Sequence, residues 1–333
     1  MQTRRHFLQQ AALATGAMFT SNSLMAEIQA DAAAKKLTIL HTNDVHSRLD
    51  PFPMDGGRNQ GLGGVAARAD LIKKIRKEEK NILLLDAGDI FQGTPYFNLY
   101  KGEPEMKAMA IMGYDAATMG NHDFDAGLEN FATQLQHGKF ELLLCNYDMS
   151  GTPMEGKYQP YKIVKKGKLK IGITGVGIEL NGLVPESLYG NTKYLDPVQN
   201  ANTIASKLKK EEGCDMVICL SHLGYKYKEN KLSDIEFAKQ SEHIDLILGG
   251  HTHTFLDAPE TYKNKVGSDV LINQVGFAGI ILGRLDFEFG KMSAKNLEKA
   301  HSVVVRKKQM NKKFFFQHFV RYSFSRETFF NLT

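Results

Sequence analysis

Short, almost wholly apolar runs punctuate this chain, and each stops abruptly at polar residues. "KLTILHTND" (36–44), "NILLLDAGD" (81–89), "CDMVICLSH" (214–222) and "IDLILGGHTH" (244–253) share this form. Apolar runs of this length bounded by Gly, Asn or Asp predict strands buried on both faces. The segments between them change period. "GLGGVAARADLIKKIRKEEK" (61–80) brings Leu62, Val65, Ala69, Ile72 and Ile75 to one side, a helical spacing. "PEMKAMAIMGY", "AGLENFATQLQ" and "SDIEFAKQSEH" also predict helices. "DPVQNANTIASKLKKEEG" is the best marked, with Asp196 as cap, Pro197 in the first turn and Gly213 as stop. "DAATMGNHD" predicts a short strand and "FELLLCNYD" another, while "YQPYKIV" and "LKIGITGVG" form a hairpin through Gly167. "VLINQVG" and "GIILGRLDFEFG" make a strand-rich close. No internal repeat or long linker interrupts the order. The alternation predicts an α/β fold in layers, with sheet flanked by helices.

The polar strand ends carry the chemistry. Five of them bear Asp, His or Asn: "HTNDVH", "DAGD", "MGNHDFD", "CLSH" and "GGHTH". Loops from neighbouring strands converge at the C-terminal edge of an open α/β sheet, which is where ligands bind. The candidates are Asp44, His46, Asp89, Asn121, His122, Asp125, His222, His251 and His253. Singly, each has an ordinary reading: Asp44 and Asp89 as helix caps, Asn121 as a turn residue, His251 and His253 as loop residues. Together, at five strand ends, they predict one site. Imidazoles and carboxylates without a thiolate suit a divalent ion such as Zn, Mn, Fe or Co. One tetrahedral ion needs four ligands, so this set is too large for one ion and sufficient for two if a carboxylate bridges. Paired ions clamp the attacking and leaving oxygens of an in-line displacement.

In this order "DVH", "GD", "GNHDFD", "SH" and "GHTH" resemble the motifs of the calcineurin-like metallophosphoesterases. "LTILHTNDVHSR" and "GNHDFD" are similar in particular to the catalytic domain of bacterial 5′-nucleotidases, over about residues 36–305. The resemblance implies a four-layer α-β-β-α fold and an enzyme that hydrolyses nucleotides or related small phosphomonoesters. It implies attack by a hydroxide bridging two divalent metal ions. One ion would take Asp44, His46 and His253, the other Asn121, His222 and His251, with Asp89 shared. His122 would face the phosphoryl oxygens or the leaving group, and Asp125 would orient it. A carboxylate beside an imidazole fixes its tautomer and steadies its charged form. Asp123 has no ligand role in that pattern and is expected to be structural or solvated, as are His6, His41, His137, His243, His301 and His318. Two other readings share the metal core: a 2′,3′-cyclic nucleotide phosphodiesterase and a nucleotide-sugar pyrophosphatase. A third is a non-catalytic metal-containing subunit that docks a separate substrate-domain protein.

Two-domain 5′-nucleotidases carry a C-terminal domain that stacks the nucleobase between aromatic rings, and nothing after residue 305 is long enough to be one. The expectation is that a partner chain supplies that pocket or that it is not needed.

Composition refines this picture at the two ends. The net charge of +5 is uneven: residues 306–333 hold seven Lys or Arg against Glu327 alone, leaving about −1 for residues 1–305. A near-neutral body offers no nucleic-acid-binding face. The tail also holds seven of the 20 phenylalanines, and is read as a disordered or non-native end, the alternative being a membrane-surface or partner-docking segment. Residues 1–32 open with Thr3-Arg4-Arg5-His6-Phe7-Leu8 and a weakly apolar stretch, resembling a twin-arginine export signal. That stretch is too short and polar for a stable membrane span, so the expected destination is the periplasm or cell envelope. Cys145, Cys214 and Cys219 lie in apolar runs and are expected to be buried free thiols. "GLGGVAAR" lacks phosphate-loop spacing and is expected to pack a helix near the site, with Arg68 as a candidate substrate contact.

Overall fold

A computed structural model of the chain describes residues 35–290 and 295–306. The expected export signal and, apart from Arg306, the basic tail lie outside the described residues. The first half builds one sheet from β1 (Lys36–Thr42), β2 (Ile82–Asp86), β3 (Ala116–Ala117) and β4 (Glu141–Leu142). Between them run the helices α1 (Val65–Glu78), α2 (Pro95–Tyr100), α3 (Glu103–Met112) and α4 (Gly127–Leu135). The short β5 (Tyr147–Asp148) leads to the hairpin of β6 (Tyr161–Lys166) and β7 (Leu169–Val176). After α5 (Glu186–Tyr189) and β8 (Lys193–Tyr194) comes α6 (Pro197–Ser206). The second half continues with β9 (Met216–Ser221), α7 (Asp234–Gln240), β10 (Leu246–Leu248), β11 (Glu260–Lys263) and β12 (Asp269–Asn273). Two long strands, β13 (Ile281–Phe289) and β14 (Lys295–Val304), return to the first sheet.

The strands sort into two six-stranded sheets, ordered β14-β13-β1-β2-β3-β4 and β11-β12-β10-β9-β7-β6. The strands whose ends carry candidates run parallel to one another within each sheet: β1, β2 and β3 in the first, β9 and β10 in the second.

Side-chain alternation explains the layering. In β2, Leu83 and Leu85 face a core shared with Ile173 of β7 and with Ile218 and Leu220 of β9, which lies between the sheets. Ile82 and Leu84 of the same strand pack with Ile72, Met109 and Phe131 of the helices outside the first sheet. Val217 and Cys219 of β9 pack outward, against Ala201 and Ala205 of α6 and Phe237 of α7. A period of two thus divides each strand between two cores, and continuous apolar runs satisfy both. The result is helix, sheet, sheet, helix, as expected.

Local expectations mostly hold. Asp196 caps α6 by accepting hydrogen bonds from the N–H groups of Val198 and Gln199; a π-helical turn, Lys207–Glu211, prolongs it, and Gly213 follows with φ +64°. "FELLLCNYD" departs from the single strand expected. Leu143 donates its N–H to Ala117 in the first sheet, whereas Cys145 donates to Gly175 in the second. The run crosses between sheets, which its apolar pattern alone does not reveal. Among the described residues, no helix is long and apolar enough to cross a membrane.

Candidate metal centre

All five chemical strand ends meet at one edge of the double sheet. They do so through backbone geometry that most residues avoid. Ten described non-glycine residues have positive φ, and five of them are Asp44, His46, Asp89, His251 and His253, at +50° to +70°. Such conformations cost energy and persist only where the surroundings enforce them, so half of this strain falling on candidate ligands marks a functional site.

Two groups result. In the first, His253 Nε2 lies 3.3 Å from Asp44 Oδ1 and 2.9 Å from His46 Nε2. In the second, His222 Nε2 lies 3.1 Å from Asp89 Oδ2, and His251 Nδ1 lies 2.8 Å from Asn121 Oδ1. The donor atoms of Asp44, His46 and His253 lie within 4.8 Å of one another, as do those of Asp89, His222 and His251. Asp89 faces both groups, since the same Oδ2 is also 3.8 Å from His46 Nε2.

The tautomers fit a cation. His222 Nδ1 donates to the Ala87 carbonyl at 2.7 Å, which turns the buried Nε2 toward Asp89 Oδ2. His46 Nδ1 lies 3.2 Å from the Phe91 carbonyl, so its Nε2 is likewise turned inward. Burial would lower the basicity of His222, but the charges of Asp89 and Asp44 outweigh it and push the pKa up to about 10. The pocket therefore draws positive charge. Burial lowers His46, and burial with the His222 charge lowers His251 to about 4, so both stay neutral and competent as ligands. Burial also works against the Asp89 charge, yet His222, His46 and His122 hold its carboxyl well below the usual range.

His122 points elsewhere. Its N–H donates to Asp89 Oδ1 at 2.8 Å, and its Nδ1 pairs with Asp125 Oδ2 at 2.8 Å. The ring meets His46 edge-on at 5.3 Å between centroids and remains partly open to solvent. The Asp125 hydrogen bond raises its pKa above the ordinary histidine value. An imidazole biased toward its protonated form by Asp125 thus stands at the mouth of the two groups.

The calcineurin-like phosphoesterase family profile matches residues 37–255. The chain belongs to that family. It is 38% identical over 241 residues to the snake venom 5′-nucleotidase of Naja atra, covering 70% of this chain and 44% of that protein. Against the 5′-nucleotidase of Rattus norvegicus it is 37% identical, covering 68% and 39%. Among solved structures, the 5′-nucleotidase precursor of Thermus thermophilus aligns with a TM-score of 0.74 at 32% identity, over 81% of this chain and 55% of that one. The NAD nucleotidase of Haemophilus influenzae gives 0.72 at 29% identity, over 81% and 56%. The chain spans under half the length of these curated relatives. Members of this family hold divalent metals, and the donor set here suits them.

Three residues gain or lose roles in the structure. Asp123 proves structural, as expected, but it is a clasp rather than filler. Its buried carboxylate accepts the N–H groups of Gly120, Asp89, Ile90 and Phe91 at 2.8–3.1 Å, so it locks the Asp89 loop to the Asn121 loop. Asn43, unnoticed beside Asp44, donates to Asp44 Oδ2 and to the Gly276 carbonyl at 2.6 Å each, fixing that carboxylate. Arg68 is not a surface contact. It is buried under the site, lining an internal cavity of about 10 Å³ with Asp86, Glu105 and Tyr114. Gly120 is required by close approach, because a Cβ there would collide with the Asp89 carboxylate and the His222 ring. All three cysteines are free and buried, and burial pushes the Cys145 thiol up to about 11, which makes it inert.

Proposed function

We propose that this protein hydrolyses phosphomonoesters of nucleotides or related small alcohols, using two divalent metal ions. The observation that carries the reading is the doubled donor set around Asp89, with a carboxylate-held His122 beside it. The first ion would be held by Asp44, His46 and His253, the second by Asn121, His222 and His251, with Asp89 between them. Bound there, the ions supply Lewis acidity toward phosphoryl oxygens and lower the pKa of water to near neutrality. The chain's own residues do the rest. His222 and His46 present fixed tautomers through the Ala87 and Phe91 carbonyls. Asp125 keeps the proton on Nδ1 of His122, so the opposite ring edge faces substrate. From there His122 stabilises charge on the phosphoryl oxygens or gives a proton to the departing alcohol.

The nucleotide class is supported by relatives and solved structures named as 5′-nucleotidases and a NAD nucleotidase. Export is supported by the twin-arginine-like opening of the sequence and by a neighbour named as a precursor. The test is turnover by metal-loaded protein of p-nitrophenyl phosphate, bis-p-nitrophenyl phosphate, nucleoside monophosphates, cyclic nucleotides and nucleotide sugars. Preference for monoesters supports the reading. Preference for the diester or pyrophosphate substrates transfers it to a phosphodiesterase or pyrophosphatase, and turnover of none contradicts it.

A further inference from the structure

His251 and His253 belong to different donor groups, yet both lie on one short loop, residues 250–254, just after β10. Both have left-handed backbone, at φ +70° and +52°, so something must enforce the shape of this loop. Within its own backbone, the Thr252 N–H donates to the Gly250 carbonyl at 2.9 Å.

Further restraint comes from Gln274, the residue that follows β12. In the pairing of β12 with β10, Asn273 lies opposite Leu248, which brings Gln274 level with the start of the loop. Its side chain is fully buried. Gln274 Nε2 donates to the Gly250 carbonyl at 2.5 Å. Its Oε1 accepts the Thr254 N–H and, at 3.2 Å, the Thr252 hydroxyl. One carboxamide therefore grips the loop at both ends and in the middle. Thr252 Oγ1 also accepts the Tyr225 N–H at 2.9 Å, which joins the segment after His222 to the same hub.

The chemistry of the brace is specific. Gly250 presents a carbonyl and Thr254 an N–H, so the bracing group must donate at one end and accept at the other. Glutamate lacks the donor, methionine lacks both, and asparagine is one methylene shorter.

We propose that Gln274 is a positioning residue for both ions: it holds the loop of His251 and His253 so that each ion finds its histidine in place and binds in a separate step. The inference rests on the two-ion reading and adds a residue outside both donor groups. Ordering a strained loop costs conformational free energy, and a loop ordered beforehand spares both ions that cost. Without the brace, the first ion orders the loop for both. It then binds more weakly, and the second follows cooperatively.

The test is calorimetric titration of the metal-free full chain with Mn(II), comparing native protein with Gln274→Met and Asn273→Ala. Asn273 is the adjacent buried residue, and its side chain bonds to His41 rather than to the loop. Native protein is expected to take up two ions in two resolved steps. In Gln274→Met the first step weakens about 10–100-fold and the two merge into one cooperative uptake. Asn273→Ala lowers the melting temperature and keeps two steps, which separates positioning from general stability. If Gln274→Met does not fold, Gln274→Asn, too short to grip both ends, is expected to show the same merging. Two native-like steps in the Gln274 variant, or equal merging in Asn273→Ala, overturns the brace alone. Uptake of a single ion by native protein overturns the two-ion reading, and the brace with it.

Discussion

The two halves of the candidate metal centre are built from the same residue types but sit at different depths. The Asp89 half is interior: the His222 side chain is 0% exposed, Asp89 is 2%, and the Asp123 clasp holds the loop behind them. The Asp44 half opens to solvent, with 41% of the His253 side chain exposed. Both halves are fixed by hydrogen bonds, since Asp44 accepts from Asn43 and from the His251 N–H, but only the Asp44 half carries a ligand, His253, open to solvent. Preorganisation favours retention of an ion, while exposure favours exchange and contact with substrate. The deep half acts as an anchor and the shallow half as the side that meets the ester.

Removing the anchor has the largest expected effect. Asp123→Ala leaves four buried N–H groups without their acceptor, at about 1–3 kcal/mol for each unsatisfied group. Thermal unfolding is expected to shift sharply downward, with loss of the Asp89-side ion. Unchanged melting would contradict the clasp. Next comes His122→Ala, which removes no donor from either half: both ions are expected to stay bound and kcat to fall about 10²–10⁴-fold. Loss of an ion in that variant would instead make His122 a ligand and redraw the centre.

The depth difference itself is tested by His253→Ala, expected to bind one ion with near-original affinity and the other at least about tenfold more weakly. Equal weakening at both would erase the distinction. The smallest effect is expected from Asp125→Asn, a drop in kcat of roughly tenfold with an altered pH profile. Asp125 raises the pKa of His122, so the acid form persists to higher pH in the native protein. Without it the basic limb of the profile moves to lower pH. A profile with an unmoved basic limb would leave Asp125 a purely structural role.

Much of this was legible in the sequence, for identifiable reasons. Strands buried on both faces read as apolar runs, and their polar ends stand out against them, so Asp44, Asp89, His222 and His251 declared themselves. The division into two sheets did not, because "FELLLCNYD" looks like one strand while bonding to both. Nor did the clasp: Asp123 lies in the same motif as Asn121 and His122, and only the fold brings four N–H groups around it. Arg68 failed for the opposite reason. A glycine-rich helix start beside the site suggested a substrate contact, yet α1 turns that arginine inward toward Asp86 and Glu105. The left-handed backbone at Asp44, His46, Asp89, His251 and His253 carries no mark in residue type, since none is glycine.

The most direct measurement is a titration of metal-free protein with Mn(II) or Zn(II), following bound metal and p-nitrophenyl phosphate hydrolysis together. Two ions per chain are expected, the first binding silently in the deep half and turnover rising with the second. Saturation at a single ion, or no hydrolysis with two bound, would contradict a two-metal phosphoesterase built around Asp89.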